Sequence, residues 1–190
     1  MENDRIKWNQ RFAGEESYLG KSPSPFLMTE IERIKTAVPG RRALDIASGE
    51  GRNSIFLASH GFAVTGLDIS DVGIAKAGRL AYEAGVTVDF RRVDLEGYCF
   101  AESYDLIINF NFLLRDLLAR AYEALSPGGI FIVDTIMASP EVVASHTPDF
   151  LLANGELAQI FEAFPGKILF SEESWLGEMP TARVLFSKAV

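Results

Sequence analysis

The chain has 190 residues, 48% of them hydrophobic and 23% charged, which suits one globular domain able to bury roughly 70% of the surface its unfolded form exposes. Its 26 acidic against 18 basic residues give a formal charge of −8, which repels phosphate backbones on average and disfavours nucleic-acid partners. A single cysteine excludes an internal disulfide, the charged start MENDRIKWNQ lacks the apolar core of a signal peptide, and no apolar run approaches the ~18 residues of a membrane span, so a reduced, cytoplasmic protein acting on small molecules without a membrane is expected.

DRIKWNQRF reads as a short helix, followed by the Gly/Ser/Pro-rich stretch LGKSPSPF at Leu19 to Phe26. Pro25 can begin a second helix running through FLMTEIERIKTAV and stopping at Pro39-Gly40. Residues 1–38 are therefore expected to form a helical N-terminal extension of a single domain over 1–190. From Arg41 short apolar runs alternate with helical patterns: RRALDIA, FAVTGLD, VTVDFRRVD, YDLIINFN and GGIFIVDTI as strands, NSIFLASHG, DVGIAKAGRLAYEAG and LLRDLLARAYEAL as helices. That alternation predicts an α/β fold, a doubly wound, mostly parallel sheet with helices on both faces. Leu114, Leu117, Leu118, Ala121, Tyr122 and Leu125 fall on one helical stripe, and SPGG from Ser126 to Gly129 is expected to end that helix. A helix from about Gly155 to Phe164 leads to KILFSEESW and TARVLFSKAV, two strands whose connection is too short for a parallel crossover.

The stretch LDIASGEGRN poses the functional question. From Gly49, GEGRNS nearly fits the dinucleotide pattern G-x-G-x-x-G/A, with Ser54 last, which admits a nicotinamide-dependent oxidoreductase. A pyrophosphate there gains from a helix N-terminus but loses beside a fixed carboxylate, and Asp45 stands four residues before Gly49. S-adenosylmethionine reverses that preference, being free of phosphate and bearing an ammonium and a sulfonium. Asp68 closes the next strand, where ribose hydroxyls find an acceptor in doubly wound folds. Asp94, closing FRRVD, can accept from an adenine amine, with Leu95 and Ile69 flanking the ring. Each position also has a plain alternative: Gly49 and Gly51 as a tight turn, Asp45 and Asp68 as helix caps.

LDIASGEGRNSIFLA, GLDIS, RRVDL, YDLIINFNFLLRDL and LSPGGIFIVDT, in that order, resemble the motifs of class I S-adenosylmethionine-dependent methyltransferases, with Ala47 where the commonest form has its first glycine. WNQRF…SPSPFL and TPDFLLANGELAQIF further resemble a small bacterial group related to tellurite-resistance and thiol methyltransferases. The resemblance implies a Rossmann-like sheet of seven strands in the order 3-2-1-4-5-7-6, the last antiparallel. It also implies S-adenosyl-L-methionine as cofactor, held at the methionine end by Asp45, Ala47, Ser48, Gly49, Gly51 and Asn53, at the ribose by Asp68 and at the adenine by Ile69, Asp94 and Leu95. Trp8 and Tyr18 would belong to an N-terminal lid, with simple packing of the extension as their alternative.

Asn109, Phe110 and Asn111 then face the methyl group. The Asn/Asp-Pro-Pro-aromatic form associated with amide or amino-nitrogen methylation is absent, which points away from DNA and protein acceptors. Methyl transfer is in-line displacement, so alignment provides much of the rate, and a thiol near pKa 8.5 is already partly ionised. The acceptor expected is therefore a small nucleophile, a thiol or a metalloid anion, with a non-catalytic cofactor-binding protein as the alternative. His60 reads as a helix cap. His146, Arg115 and Asn111 are the candidates for a catalytic or substrate contact, with Asp134 a further pocket residue; Cys99 reads as a small buried hydrophobe, and no metal is expected.

Overall fold

A computed structural model describes residues 2–144, 146–175 and 179–190. Two helices, α1 (Glu2–Phe12) and α2 (Pro25–Ala37), precede β1 (Arg42–Ile46), α3 (Arg52–Ser59), β2 (Ala63–Asp68), α4 (Asp71–Glu83) and β3 (Asp89–Arg92). The second half runs β4 (Tyr104–Phe110), α5 (Arg115–Ala124), β5 (Leu125–Ile136), α6 (Pro140–Val143), a 3-10 turn (Pro148–Phe150), α7 (Glu156–Glu162), β6 (Gly166–Ser174) and β7 (Thr181–Lys188). One sheet holds all seven strands in the order β3-β2-β1-β4-β5-β7-β6. Pairings are parallel from β3 through β5, and β7 is antiparallel to both β5 and β6.

The central strands are near-continuous apolar runs because both faces of the sheet are covered. Leu44, Ile46, Ile107, Phe131 and Val133 pack on one face with Leu117, Leu118, Leu157 and Phe161 of α5 and α7. Ala43, Leu106, Ile108, Ile130 and Ile132 pack on the other with Leu27, Ile31, Ile34 and Leu57 of α2 and α3. No described helix is long and apolar enough to cross a membrane.

Two boundaries depart from the sequence expectation. Helix α5 ends at Ala124, and SPGG belongs to the start of β5, where Leu125 pairs with Tyr104 and Gly128 takes φ +72°. Strand β3 is only Asp89–Arg92, so Asp94 lies two residues past its end. The Asp94 carboxylate accepts the Glu96 N–H at 3.0 Å, a local turn that competes with the ladder. The long connection after β5 holds α6 and the 3-10 turn, and it closes on itself through the Met137–Leu152 bridge.

Two glycines are required by one ring. A methyl on Gly66 would lie 2.7 Å from Phe90 Cδ1, and one on Gly51 2.7 Å from Phe90 Cζ, so the ring seals the space between β2 and the N-terminus of α3. Gly66→Ala is expected to lower stability by about 1–3 kcal/mol through overpacking, and Phe90→Leu in the same chain to restore part of it. Thermal melts of the three variants check this; a Gly66→Ala melt equal to wild type would contradict the packing.

Candidate functional site

In a doubly wound sheet the ligand crevice opens at the carboxyl ends of the strands where the order reverses, here beside β1, between β2 and β4. Asp45 is the penultimate residue of β1 and Asp68 the last of β2. Asp45 is paired with Gly66, two residues before Asp68, so strand alternation puts both carboxylates on one face of the sheet. Asp45 is buried, and its Oδ2 accepts the Ser54 hydroxyl at 2.6 Å. Burial pushes its carboxyl up to about 7; Ser54 and Arg52 oppose that rise and Asp68 adds to it. Asp68 accepts the N–H of Gly49 through Oδ2 and of Ser70 through Oδ1, both at 2.8 Å. Its carboxyl is also raised, burial outweighing those bonds.

These carboxylates take two of the donors at the glycine turn and the start of α3, and backbone carbonyls take two more. Ser48 N–H goes to Leu67 O and Gly51 N–H to Ser48 O, both at 2.9 Å, while Gly49 N–H goes to Asp68. Ser54 N–H turns to Asp45. A pyrophosphate cradle needs such groups unspent. Gly49 and Gly51 take φ of +54° and +81°, so the turn does need them, and their tight-turn role holds alongside any ligand role.

Ala47 and Asn111 are the non-glycine residues with positive φ among the described residues, both at +55°, and they directly follow the central strands β1 and β4. For alanine that conformation costs roughly 1–2 kcal/mol. Strain of this kind concentrates at functional sites. Between them Asn109 is 0% exposed, with neither amide oxygen nor nitrogen hydrogen-bonded. It pairs in register with Ile46 and Val133, which puts it on the sheet face opposite Asp45. The buried Ser48 hydroxyl is likewise unpartnered. Leaving such groups unpaired costs about 1–3 kcal/mol each, so a polar ligand reaching them is favoured.

The remaining predicted positions divide. Ile69 is half-buried beside Asp68, Leu95 is buried in the α5-side core, and Asp94 is exposed at the same rim. Phe110 packs into the α2-side core. Trp8 stacks on Phe12 at 5.4 Å, and Tyr18 meets both rings edge-on at 6.2 Å. The Phe12 ring covers the turn: methyls on Gly49 and Gly73 would stand 3.3 and 2.9 Å from it. Asn53 is buried and its Oδ1 accepts the Ser24 N–H at 2.8 Å, ahead of α2.

On the acceptor side Arg115 is committed to the loop after β5. It binds both Glu156 oxygens, at 2.5 and 2.9 Å, and the carbonyls of Asp149 and Leu151 at 2.7 and 2.9 Å. His146 is exposed, with Nδ1 3.3 Å from Val142 O. Asp134 accepts from Arg183 at 3.2 Å, and burial holds its carboxyl above the usual range against that cation. His60 caps α3, as its place in the sequence indicates. Cys99 is exposed, not buried: it sits past the 96–97 turn with Sγ directed at Gly97 O, 3.7 Å away. The sequence reading missed Phe90, whose signal was its short apolar strand opposite the glycine turn, and Glu50, whose signal was a carboxylate set between two glycines.

Residues 43–129 match the family described as a methyltransferase domain. The ubiquinone biosynthesis O-methyltransferase of Paramagnetospirillum magneticum is 34% identical over 110 residues, 55% of this chain and 44% of that protein. The chain spans about half the length of the curated relatives it matches. TehB from Haemophilus influenzae superposes with a TM-score of 0.72 at 21% identity, over 85% of this chain and 62% of that one. Magnesium protoporphyrin IX methyltransferase from Synechocystis, solved with bound S-adenosylhomocysteine, superposes with a TM-score of 0.70 at 16% identity over 99% of both. Over residues 43–129 the chain is thus similar to methyltransferase domains, and its fold superposes on that of a solved methyltransferase.

Proposed function

We propose that this chain transfers the methyl group of S-adenosylmethionine to a small-molecule nucleophile. The observation that carries the reading is the pair of buried carboxylates, Asp68 taking the Gly49 N–H of the glycine turn and Asp45 the Ser54 N–H and hydroxyl just after it. That environment disfavours a pyrophosphate and favours a cationic, phosphate-free nucleoside, which argues against a nicotinamide cofactor. Asp68 retains acceptor capacity for ribose hydroxyls, since an ionised carboxylate offers about four lone-pair sites. Asp94, Leu95 and Ile69 would flank the adenine. Asp45, the turn from Ala47 to Gly51, and Asn109 would hold the methionine end. Trp8, Phe12 and Tyr18 would wall the site from the N-terminal extension, residues 1–38.

When bound, S-adenosylmethionine supplies a methyl carbon activated by its sulfonium. The acceptor's lone pair forms the new bond as the carbon–sulfur pair returns to sulfur, and the chain's task is to align the two. Arg52, Arg115 and Arg183 are all engaged with carbonyls or carboxylates. Exposed Tyr18, Leu19, Val143, Phe150 and Trp175 lie on the segments flanking the rim. Of the two acceptors suggested by the sequence, these surroundings favour a thiol on an apolar body over a metalloid anion. The relatives' name brings a hydroxyl acceptor as the second reading, supported by the identity over residues shared with them; a hydroxyl needs a base, and His146 is the candidate in the acceptor-side loop.

Calorimetry is expected to detect S-adenosylhomocysteine in the micromolar range and no reduced nicotinamide cofactor. Radiolabelled methyl should then move to a thiol in a panel of thiols, hydroxyls and tellurite. Binding without transfer to any of them would leave the non-catalytic reading.

The ionised form of Asp45 is the one that attracts the ligand ammonium, so affinity is expected to rise about tenfold from pH 6 to pH 8 with a carboxyl near 7. In the free protein the sign reverses. The native state keeps the Asp45 proton between its ordinary value of 3.8 and about 7 while the unfolded chain releases it, so this group costs stability as pH rises through that window. Asp45→Asn is expected to flatten the binding profile and to melt progressively higher than wild type from pH 4 to 7, the gap holding above. Parallel wild-type and variant profiles would contradict the assignment.

A further inference from the structure

The residues linking α1 to α2 form a strap, 13–24, held by side chains from outside it. Within it one backbone pair is made, Gly20 N–H to Ser17 O at 3.0 Å. Lys76 of α4 donates to the carbonyls of Gly14 and Glu16 at 2.9 and 2.8 Å. Glu50 Oε2 accepts the Tyr18 N–H at 2.6 Å, and Glu50 Oε1 pairs with Lys76 Nζ at 2.6 Å, both side chains only 7% exposed. Arg52 donates to Leu19 O and Ser22 O at 3.1 and 3.2 Å, and Asn53 accepts the Ser24 N–H. Three of these four clamps, Glu50, Arg52 and Asn53, come from the glycine turn or the first residues after it. The strap and the turn are thus one mechanical unit, with Phe12 laid over Gly49 where the strap begins.

We propose that the buried Glu50–Lys76 pair is a latch that ties strap seating to the conformation of the cofactor turn, so that cofactor leaves only when the strap is released. The inference rests on the S-adenosylmethionine reading above. Charge is placed where it controls both parts: Lys76 neutralises Glu50 and holds two strap carbonyls, while Glu50 fixes the turn between Gly49 and Gly51 and holds the strap N–H that follows. Both are positioning residues, acting through the turn.

The test compares wild type with Glu50→Gln/Lys76→Met, which removes both charges and leaves neither buried alone. The trypsin site within the strap follows Lys21. In the double variant cleavage is expected at least tenfold faster, S-adenosylhomocysteine to dissociate at least tenfold faster in stopped flow, and bound ligand no longer to protect the strap. Glu50→Gln alone keeps an acceptor for Tyr18 N–H, and is expected to give intermediate rates should the double variant fold poorly. Cleavage no faster than wild type would overturn the latch, and so would faster cleavage with an unchanged dissociation rate. If wild type binds no S-adenosylhomocysteine, the cofactor reading and the coupling fall together, and the cleavage rates alone decide whether the pair holds the strap.

Discussion

The carboxylate of Asp68 fastens two strand-to-helix turns together, taking the Gly49 N–H from the turn after β1 and the Ser70 N–H from the turn after β2. The turns of a parallel sheet meet only at this end, and a single residue at the last position of β2 fixes their spacing. Ser70 in turn caps α4 by accepting the Gly73 N–H at 2.9 Å, and its hydroxyl reaches Asn9 of α1 at 2.6 Å. The N-terminal helix is therefore seated on the same hydrogen-bond network that shapes the crevice. Asp45 acts alike on the other side, meeting the first turn of α3 through Ser54. Two carboxyl groups occupy the positions where a helix N-terminus would otherwise welcome a bound anion.

The sheet elsewhere is conventionally satisfied, with buried apolar rows covered on both faces. Departures gather at one rim. Ala47 and Asn111 adopt left-handed backbone at the ends of adjacent strands, and Asn109 and Ser48 bury polar atoms without partners. A fold bears such costs where a ligand or a required geometry offsets them. Arg115 anchors the loop after β5, and its contribution is to hold Asp149, Leu151 and Glu156 in place.

Much of this architecture was legible in the sequence because it is written in local patterns. Alternating apolar runs and helical stripes gave the order of elements, and the spacing of Asp45, Gly49, Gly51 and Asp68 placed the turn. What was hidden depends on contacts distant along the chain. Asn53 reads as a loop residue facing ligand, yet it bonds Ser24, 29 residues away. Arg115 reads as an open anchor, yet it is spent on Glu156, 41 residues on. Lys76 carries no signal in its helical stretch, and it is the folded strap that buries it. Cys99 departs for a different reason: a local turn after a strand sets whether a side chain points in or out, and composition does not encode it.

A crystal structure with S-adenosylhomocysteine tests the central claim most directly. The account predicts the nucleoside across the carboxyl ends of β1 and β2, its ribose hydroxyls on Asp68, its ammonium on the Asp45 side, and the Trp8–Phe12–Tyr18 cluster beside it. Electron density for the ligand anywhere else, or a ribose that leaves Asp68 bonded only to Gly49 and Ser70, would contradict it.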